Sequence, residues 1–436
     1  MSDSGKSFGK FLLLWSGEFI SAIGSGLTSF GLGVYIFEQT GRVSAMALVT
    51  LLAFMPSLLL SAVAGVLADR YDRRLLMVLG DSLSAVGLVF ILICMLGGEA
   101  QLWQICVGVT ISSVFSSLLI PAYKATVTDL LTEEQYAKAS GLVQVADSAK
   151  YLISPVIAGF LLAVSDIKLL LVIDMGTFFI TVASTLAVRK GLASKKFEKA
   201  EAFIHQFKAG WSAVSENRGV LILVVLASVI TFFIGFIQTL SAPMILAFSD
   251  SSALGTVETV AASGMLVTSV IIGIVSIKRG YARTLSVSLF CAGIFMMGFG
   301  LRENIVFIGA SGFLFFAMLP FANTSLDFLI RTNIENDLQG RAWGIIGVIS
   351  QLGYVAAYAV SGVLADYVFT PLLLEGGRLA DSAGKLLGTG TGRGTGFLIL
   401  IAGVMVCAAS VVLYNIKSVK RLESRGKAYV LQNNPQ

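Results

Sequence analysis

Ionisable side chains inside long apolar stretches are the residues of this sequence whose surroundings favour chemistry. Glu18, Lys124, Asp147 and Lys150 each lie in a stretch of predominantly apolar residues. An ionisable group at the centre of a membrane helix costs about 2.5–3.5 kcal/mol on insertion scales, so it is a functional candidate by default. A carboxylate in that setting can bind and release a proton as its surroundings change. These four residues are therefore candidates for a proton-coupling site.

The spacing of these charges predicts how they pair. Asp147 and Lys150 are three residues apart, so they share one face of a helix. Glu18 has no charged residue three or four positions away, and we expect it to pair with Lys150 of another helix, with Asp147 nearby. A static charge network that only fixes helix packing is the alternative. Asp327 and Arg331 are four residues apart near a helix end, which predicts a structural ion pair.

Twelve apolar stretches must position these residues. Of 436 residues, 56% are hydrophobic and 13% are charged, with a mean hydropathy of +0.85, whereas soluble domains average about 45–50% apolar and about 25% charged residues. This composition leaves too little polar surface for a water-soluble globule, and each stretch has roughly the 20 residues that a membrane helix needs. The predicted spans are 11–37, 44–68, 75–97, 102–130, 138–164, 167–188, 219–247, 257–277, 284–301, 304–330, 341–366 and 395–416.

The spans form two sets of six, and a proline and a glycine recur at the same interval in both sets. Pro121 in span four is followed twenty residues later by Gly141, and Pro320 in span ten is followed at the same interval by Gly340. Such internal repeats are typical of membrane proteins whose halves rock about a site near the bilayer midplane. We therefore expect an all-α membrane protein of two pseudo-symmetric six-helix halves. Its predicted parts are a first half at 1–188, a linker at 189–218, a second half at 219–416 and a tail at 417–436.

Lys and Arg residues are distributed unevenly over the segments between the spans. If the N-terminus is cytoplasmic, 23 of the 31 basic residues fall on the cytoplasmic side and six on the outside. Because positive residues accumulate on the cytoplasmic side, we predict a multi-pass protein of the cytoplasmic membrane with both termini inside. The net charge of +5 needs no nucleic-acid partner. The linker ends in a predicted amphipathic surface helix, which contains Phe203, His205, Phe207, Trp211 and Val214.

The loop after span two resembles the signature of the major facilitator superfamily. It reads Gly-Val-Leu-Ala-Asp-Arg-Tyr-Asp-Arg-Arg over residues 65–74. The resemblance implies a cytoplasmic gate, in which an arginine–carboxylate lock opens and closes, and a glycine lets a neighbouring helix approach closely. A topological anchor alone is the alternative. The signature's second Gly is Asp72 here, which can form the turn through its side chain. The predicted gate residues are Gly65, Asp69, Arg70, Arg73 and Arg74.

Further segments are similar to the drug-efflux and macrolide-efflux branch of that superfamily. They are Trp-Ser-Gly-Glu at 15–18, Pro-Ala-Tyr at 121–123 and Ser-Pro-Val-Ile-Ala-Gly at 154–159. By this resemblance Pro155 and Gly159 belong to an antiporter motif that bends span five and seals the path against leak. The resemblance implies a monomeric exporter of small amphiphilic compounds, coupled to protons. Many proton-coupled drug exporters carry an arginine in span four, and Thr-Ile-Ser-Ser stands there at 110–113, which argues against the familiar coupling route.

Polar and aromatic residues inside the spans could line a substrate pathway. An aromatic, weakly polar cavity suits large amphiphilic compounds. The alternatives are a siderophore, peptide or lipid as cargo, or a membrane sensor or scaffold without turnover. The pathway candidates are Gln144, Gln238, Asn323, Gln351, Tyr354 and Tyr358.

The sequence has no pattern typical of enzymatic, metal or cofactor chemistry. Each of the four cysteines lies singly in an apolar run, and the single histidine has no paired ligand. Residues 388–396 read Gly-Thr-Gly-Thr-Gly-Arg-Gly-Thr-Gly, without GxGxxG spacing or the Lys-Ser/Thr end of a Walker loop. We therefore expect no enzyme, cofactor or nucleotide site. These glycines are predicted to belong to an extracellular loop at 367–394, with a short helix around 378–387.

Overall fold

The protein is built from helices, twelve of which span a membrane by length and composition. The structure, a computed structural model, describes residues 7–189, 203–275, 277 and 280–423; within these ranges the side chains of some helical residues, Asp69 and Asp147 among them, lie outside the described part. Within these ranges, twelve helices or groups of joined helices are long and apolar enough to cross a bilayer. The predicted all-α fold of about twelve spans is confirmed.

The first six spans comprise eight helices, because spans four and five are each interrupted. Span four breaks at Ser117 and Leu118, and span five breaks at Ile153. The helices are α1 (Phe8–Thr40), α2 (Val43–Arg70), α3 (Arg73–Leu96), α4 (Leu102–Ser116), α5 (Leu119–Leu130), α6 (Glu133–Leu152), α7 (Ser154–Val164) and α8 (Ile167–Arg189).

The rest of the chain begins with the predicted linker helix and continues with six more spans. One π-helical turn at Ala365–Phe369 prolongs the eleventh span, and the short helix expected around 378–387 occupies Ala383–Leu387. The helices are α9 (Phe203–Ser215), α10 (Arg218–Leu246), α11 (Ser251–Ile274), α12 (Tyr281–Leu301), α13 (Ile305–Arg331), α14 (Asn336–Leu364), α15 (Thr370–Leu373), α16 (Ala383–Leu387) and α17 (Thr391–Asn415).

Several helices start earlier than the apolar stretches from which they were predicted. α1 begins at Phe8, where the Ser7 hydroxyl accepts a hydrogen bond from the Lys10 amide. α11 begins at Ser251, six residues before the apolar stretch, and the Asp250 carboxylate accepts a hydrogen bond from the Ala253 amide at 2.8 Å. Hydropathy marks the apolar part of a span, whereas a polar cap marks its first turn.

The helices group into two compact units. The first unit contains residues 1–198 together with 250–259, so it includes the first turns of α11. The second unit contains residues 199–249 and 260–436. Each unit has its own set of packed helices, and each is described below by itself.

Glycines bring the helices of each unit into close contact. In the first unit, a Cβ on Gly24 of α1 would lie 2.6 Å from the Thr177 hydroxyl of α8. In the second unit, a Cβ on Gly403 of α17 would lie 2.7 Å from the Gly293 carbonyl oxygen of α12. No β-carbon fits at these distances, so small residues are what allow the backbones to approach, as in other membrane helix pairs.

The glycine-rich stretch at 388–396 wraps a buried arginine at the start of α17. Arg393 is 3% exposed, and its Nε lies 2.9 Å from Oε1 of Glu303. Its Nη1 donates a hydrogen bond to the Leu387 carbonyl at 2.8 Å. A Cβ on Gly394 would collide with the backbone of Thr370. These glycines therefore have a packing role: they let the preceding loop lie directly against the start of the last span.

Candidate functional site

The break in span five lies beside the intramembrane charges. Pro155 stands in the first turn of α7, where a proline needs no amide donor, and the preceding helix ends at Leu152. The Ser154 hydroxyl donates a hydrogen bond to the Ile23 carbonyl at 3.0 Å. This bond joins the broken point of span five to α1, the helix that carries Glu18.

The two predicted antiporter-motif residues contact the first turns of α11 within the first unit. A Cβ on Gly159 would lie 2.5 Å from the Ser251 carbonyl oxygen. The Pro155 carbonyl in turn lies directly against Gly255, leaving no space for a side chain there. The Thr259 hydroxyl donates to the Leu152 carbonyl at 2.9 Å. Span five is thus fastened to α11 at three successive points around its break.

Glu18 and Lys150 lie on two helices that pack against each other, α1 and α6, and both side chains are half-buried. The Trp15 indole donates a hydrogen bond to the Leu142 carbonyl at 2.6 Å. Further along, a Cβ on Gly26 would lie 3.0 Å from the Lys150 carbonyl oxygen. These contacts place Glu18 between the levels of Leu142 and Lys150. The Glu18–Lys150 ion pair itself stays a prediction.

The other two predicted coupling residues stand apart from this arrangement. Lys124 on α5 is exposed. Asp147 lies one turn before Lys150 on α6, but its side chain is outside the described part of the chain. The Lys150 ammonium lies 5.9 Å from the centroid of the Tyr151 ring, and it also acts electrostatically on Asp174 of α8.

The arginines of the signature segment bind a carboxylate that the sequence did not single out. Arg73 Nη1 lies 3.0 Å from Oδ1 of Asp129 at the end of α5, and Arg74 Nη2 lies 3.7 Å from its Oδ2. Arg73 also donates to the Ala125 carbonyl at 3.2 Å. Both arginines lie at the start of α3 and Asp129 lies at the end of α5, so this cluster joins the two helices inside the first unit. Asp129 lies at the very end of the predicted span four, and no sequence pattern links it to Arg73 and Arg74.

A second ion pair closes the turn of the same segment. Asp72 accepts a hydrogen bond from the Arg74 amide at 3.0 Å, as expected for a turn formed through its side chain. Its other carboxylate oxygen lies 3.0 Å from Nε of Arg189, at the end of α8. Arg189 belongs to the region predicted as linker, and here it extends the last helix of the first unit.

Three other residues of the signature have different outcomes. Arg70 is exposed. The side chain of Asp69 lies outside the described part, so its place in a lock stays a prediction. A Cβ on Gly65 would meet no heavy atom within 4 Å. Open space adjoins this glycine among the described residues, so the close helix approach expected at Gly65 stays a prediction.

Of the predicted pathway residues, the structure brings three together in the second unit. The Tyr358 hydroxyl of α14 donates a hydrogen bond to Oε1 of Gln238 on α10 at 2.9 Å. The rings of Tyr354 and Tyr358 are 5.9 Å apart. Gln351, one turn before Tyr354 on α14, has a buried Oε1 without a hydrogen-bond partner among the described residues. These side chains form a polar, aromatic surface between α10 and α14.

The remaining pathway candidates do not join that surface. Asn323 of α13 and Gln144 of α6 are exposed, and Gln144 belongs to the first unit. The expected ion pair between Asp327 and Arg331 is present, with Nη2 of the arginine 3.2 Å from Oδ1 of the aspartate. It lies on the exposed surface of one helix, as a structural i,i+4 pair does.

Two buried carboxyl groups complete the charges inside the spans. Asp81 of α3 and Asp174 of α8 lie in predicted apolar stretches, and each is almost fully buried. Neither was singled out from the sequence, although the rule that selects Glu18 applies equally to both. Only the structure shows that they face each other across two helices that are distant in sequence.

The described part of the chain has twelve spans, and several of them contain charged residues. An arginine–aspartate cluster joins the start of α3 to the end of α5. These features are those of a polytopic membrane transporter. The chain belongs to the Major Facilitator Superfamily, whose family model matches residues 14–358. Macrolide efflux protein A of Streptococcus pyogenes is 25% identical over 370 residues, which are 82% of this chain and 90% of the relative. Macrolide efflux protein A of Enterococcus faecalis is 26% identical over 321 residues, 71% of this chain and 98% of the relative.

The fold is similar to that of solved transporters. A bacterial homologue of the human lysosomal transporter Spinster superposes with a TM-score of 0.72 at 13% identity, over 96% of this chain and 99% of that structure. At this identity the likeness shows the fold alone. The predicted resemblance to the superfamily and to its macrolide-efflux members is confirmed, and the protein is a multi-pass membrane transporter.

Proposed function

We propose that the protein exports amphiphilic, drug- or macrolide-like compounds in exchange for protons, by alternating access. The observation that carries this proposal is the placement of half-buried Glu18 and Lys150 on packed spans of a chain whose relatives are named macrolide efflux proteins. A carboxylate beside an ammonium inside the membrane binds a proton when the ammonium withdraws and releases it when the pair reforms.

Each predicted group of residues has a role in this proposal. Glu18, Asp147 and Lys150 carry the coupling proton, and exposed Lys124 attracts anionic groups at the end of the pathway. Gln238, Tyr354 and Tyr358 contact the substrate, since their polar and aromatic surface suits an amphiphilic compound. The signature segment with Asp69 and Arg73 forms the cytoplasmic lock, and Pro155 with Gly159 seals span five.

The setting of the protein follows from the same proposal. It acts as a monomer in the cytoplasmic membrane with both termini inside, as the distribution of basic residues favours. It carries out no enzymatic reaction and uses no cofactor, since its work is the export of an intact compound, driven by protons that move down their gradient in the opposite direction.

Transport in proteoliposomes tests the proposal. Purified protein is reconstituted, a pH gradient is imposed, and uptake of a radiolabelled macrolide is measured before and after a protonophore collapses the gradient. We expect gradient-driven transport by the wild type, and its loss in Glu18→Gln and Asp147→Asn. Asp166→Asn is the matched control, because that carboxylate is 58% exposed in a loop, and it should transport normally.

The outcomes separate the parts of the proposal. Wild-type, gradient-driven transport in both Glu18→Gln and Asp147→Asn would rule out their coupling role and leave a static charge network. Transport that a protonophore does not change would rule out the exchange of the compound for protons. An absence of transport across a panel that also contains siderophores, peptides and lipids would favour a sensor or scaffold.

A further inference from the structure

Two carboxyl groups are buried together in the first unit, apart from the residues assigned to coupling above. Asp81 of α3 is 3% exposed, and Asp174 of α8 is 2% exposed. The two helices pack against each other, and the two carboxyl groups interact electrostatically. Neither forms a salt bridge with a described residue. Two carboxyl groups are thus enclosed together within the membrane-spanning part of the chain.

The surroundings of the two carboxyl groups differ. Asp174 Oδ1 accepts a hydrogen bond from the Ser25 hydroxyl at 3.5 Å, and Lys150 acts on this carboxylate with its positive charge. Asp81 has no such support: within the described part of the chain its Oδ2 is buried without a hydrogen-bond partner, and the charge that acts on it is that of Asp174. Burial opposes the negative form of both groups, but the surroundings stabilise it more at Asp174 than at Asp81.

Two ionised carboxylates cannot share a buried site at low cost, because their repulsion is strong where the dielectric constant is low. One of them must be neutral, and the asymmetry of the surroundings selects Asp81. We propose that Asp81 binds a proton inside the first unit and holds it against the ionised carboxylate of Asp174. The pair is then a proton-binding site formed by α3 and α8.

The packing favours a proton over a metal ion as the ligand. A Cβ on Gly24 would lie 2.8 Å from Asp174 Oδ1, so α1 closes directly over this carboxylate. The described residues contain no group of three or more His, Cys, Asp or Glu side chains that could hold a metal. The charge of Lys150 also opposes a cation beside Asp174. A proton needs neither space nor further ligands.

Few other charges lie close to the two carboxyl groups on the neighbouring helices. α4 and α7 contain no charged residue. On α1, Glu18 is six residues from Gly24, or about 9 Å along the axis. On α6, Lys150 faces Asp174, and the Asp147 side chain is outside the described part. The Asp69 side chain of α2 is also outside the described part. The other charged side chains of the packed helices are exposed or lie near helix ends: Lys10, Glu38, Arg70, Arg73, Arg74, Lys124, Asp129, Lys168 and Arg189.

Lys150 connects this site to the proposed coupling residues. It acts on Asp174, and it is the predicted partner of Glu18. When Lys150 moves toward Glu18, Asp174 loses its positive neighbour and competes for the proton of Asp81. This connection to transport rests on the proposed function, whereas the presence of the proton at Asp81 does not.

Infrared difference spectroscopy on the purified full-length protein in lipid nanodiscs tests the site. At neutral pH a protonated carboxyl group gives a carbonyl band that shifts in deuterium oxide. We expect this band in the wild type and in the exposed control Asp166→Asn, and its loss in Asp81→Asn. Asp174→Asn removes the repelling charge, so its band should disappear at a lower pH than the wild-type band does. Asparagine has the shape of the protonated aspartic acid, so Asp81→Asn should fold, which thermal unfolding checks.

Each other outcome overturns the proposal. A band that persists in Asp81→Asn places the proton elsewhere, and so does a band whose pH dependence is the same in Asp174→Asn as in the wild type. The second variant decides the matter even if the first does not fold. Loss of the wild-type band on addition of sodium chloride, with sodium bound in its place, would make the pair a cation site. A failure of macrolide transport leaves these spectra unchanged, so it contradicts only the proposed function.

Discussion

Arg393 shows at the scale of one residue how a buried charge stabilises the second unit. It forms an ion pair with Glu303 and a hydrogen bond to the Leu387 carbonyl while being 3% exposed. We expect Arg393→Ala to lower the free energy of unfolding by about 3 kcal/mol, the low end for a broken buried pair, because water can reach Glu303. Thermal unfolding in detergent measures the loss. Arg302→Ala removes an exposed neighbouring arginine, and an equal loss there would contradict the prediction.

Arg73 and Asp129 give a second residue-scale prediction. Their side chains are 12% and 24% exposed, so water screens the pair in part. A double-mutant cycle of Arg73→Ala and Asp129→Ala should yield a coupling energy of about 1 kcal/mol in thermal or denaturant unfolding. The same cycle with Arg70→Ala in place of Arg73→Ala is the control, since Arg70 is exposed. Equal coupling in both cycles would mean that Arg73 is not the specific partner.

These residues also mark what the sequence could predict of the site. The arginines were found because they stand in a recognisable segment, and Asp327–Arg331 because both lie on one helix. Asp129 was missed because its partners are 55 and 56 positions away in the chain. Asp81 and Asp174 carried the necessary signal, a charge within an apolar stretch, but their proximity is a property of packed helices.

At the scale of elements, spans four and five each break within the turn before a proline, whereas Pro56, Pro243 and Pro320 lie inside continuous helices. A proline has no amide hydrogen to bond the carbonyl four residues earlier, and its ring displaces that carbonyl. Four residues before Pro121 is Ser117, where α4 has ended, and four before Pro155 is Tyr151, in the last turn of α6. The bend of span five was expected from the sequence. The break in span four follows the same rule, although from the sequence Pro121 is interpreted only as a mark of the internal repeat.

The crossing of α7 and α11 gives a prediction at this scale. A Cβ on Gly159 would lie 2.5 Å from the Ser251 carbonyl oxygen, so a larger residue at this position must push the two helices apart. We expect Gly159→Val to cost about 1–3 kcal/mol in unfolding experiments, as overpacking does, and to reduce transport. Gly176→Val is the matched control, because a Cβ on Gly176 of α8 meets nothing within 4 Å. Similar effects of both valines would mean that β-branching, not contact, is responsible.

At the scale of the whole molecule, the sequence predicted the fold better than the substrate. The fold depends on apolar length repeated twelve times, a signal carried by hundreds of residues. In the proposed function, substrate choice depends on a few side chains whose positions are set by tertiary packing. Gln238 and Tyr358, two of the proposed substrate contacts, are 120 positions apart and joined by a hydrogen bond. Single positions of this kind have no periodicity that could reveal their role.

The orientation of the molecule in the membrane is a prediction of the same scale. The excess of basic residues on one side predicts that Glu375, in the loop before α16, is extracellular, and that Glu335, just before α14, is cytoplasmic. Both side chains are exposed, which makes them a matched pair of reporter positions. Glu375→Cys and Glu335→Cys are each placed in a variant whose four native cysteines are replaced by serine.

A maleimide that cannot cross the membrane then reads the orientation in intact cells. We expect it to label the Glu375→Cys protein at once, and the Glu335→Cys protein only after lysis. The physical reason is that translocating a loop rich in Lys and Arg is disfavoured, so the basic segments stay in the cytoplasm. The reverse labelling pattern would show an inverted molecule. In that case the arginine cluster after span two would face the outside, and it could not be a cytoplasmic lock.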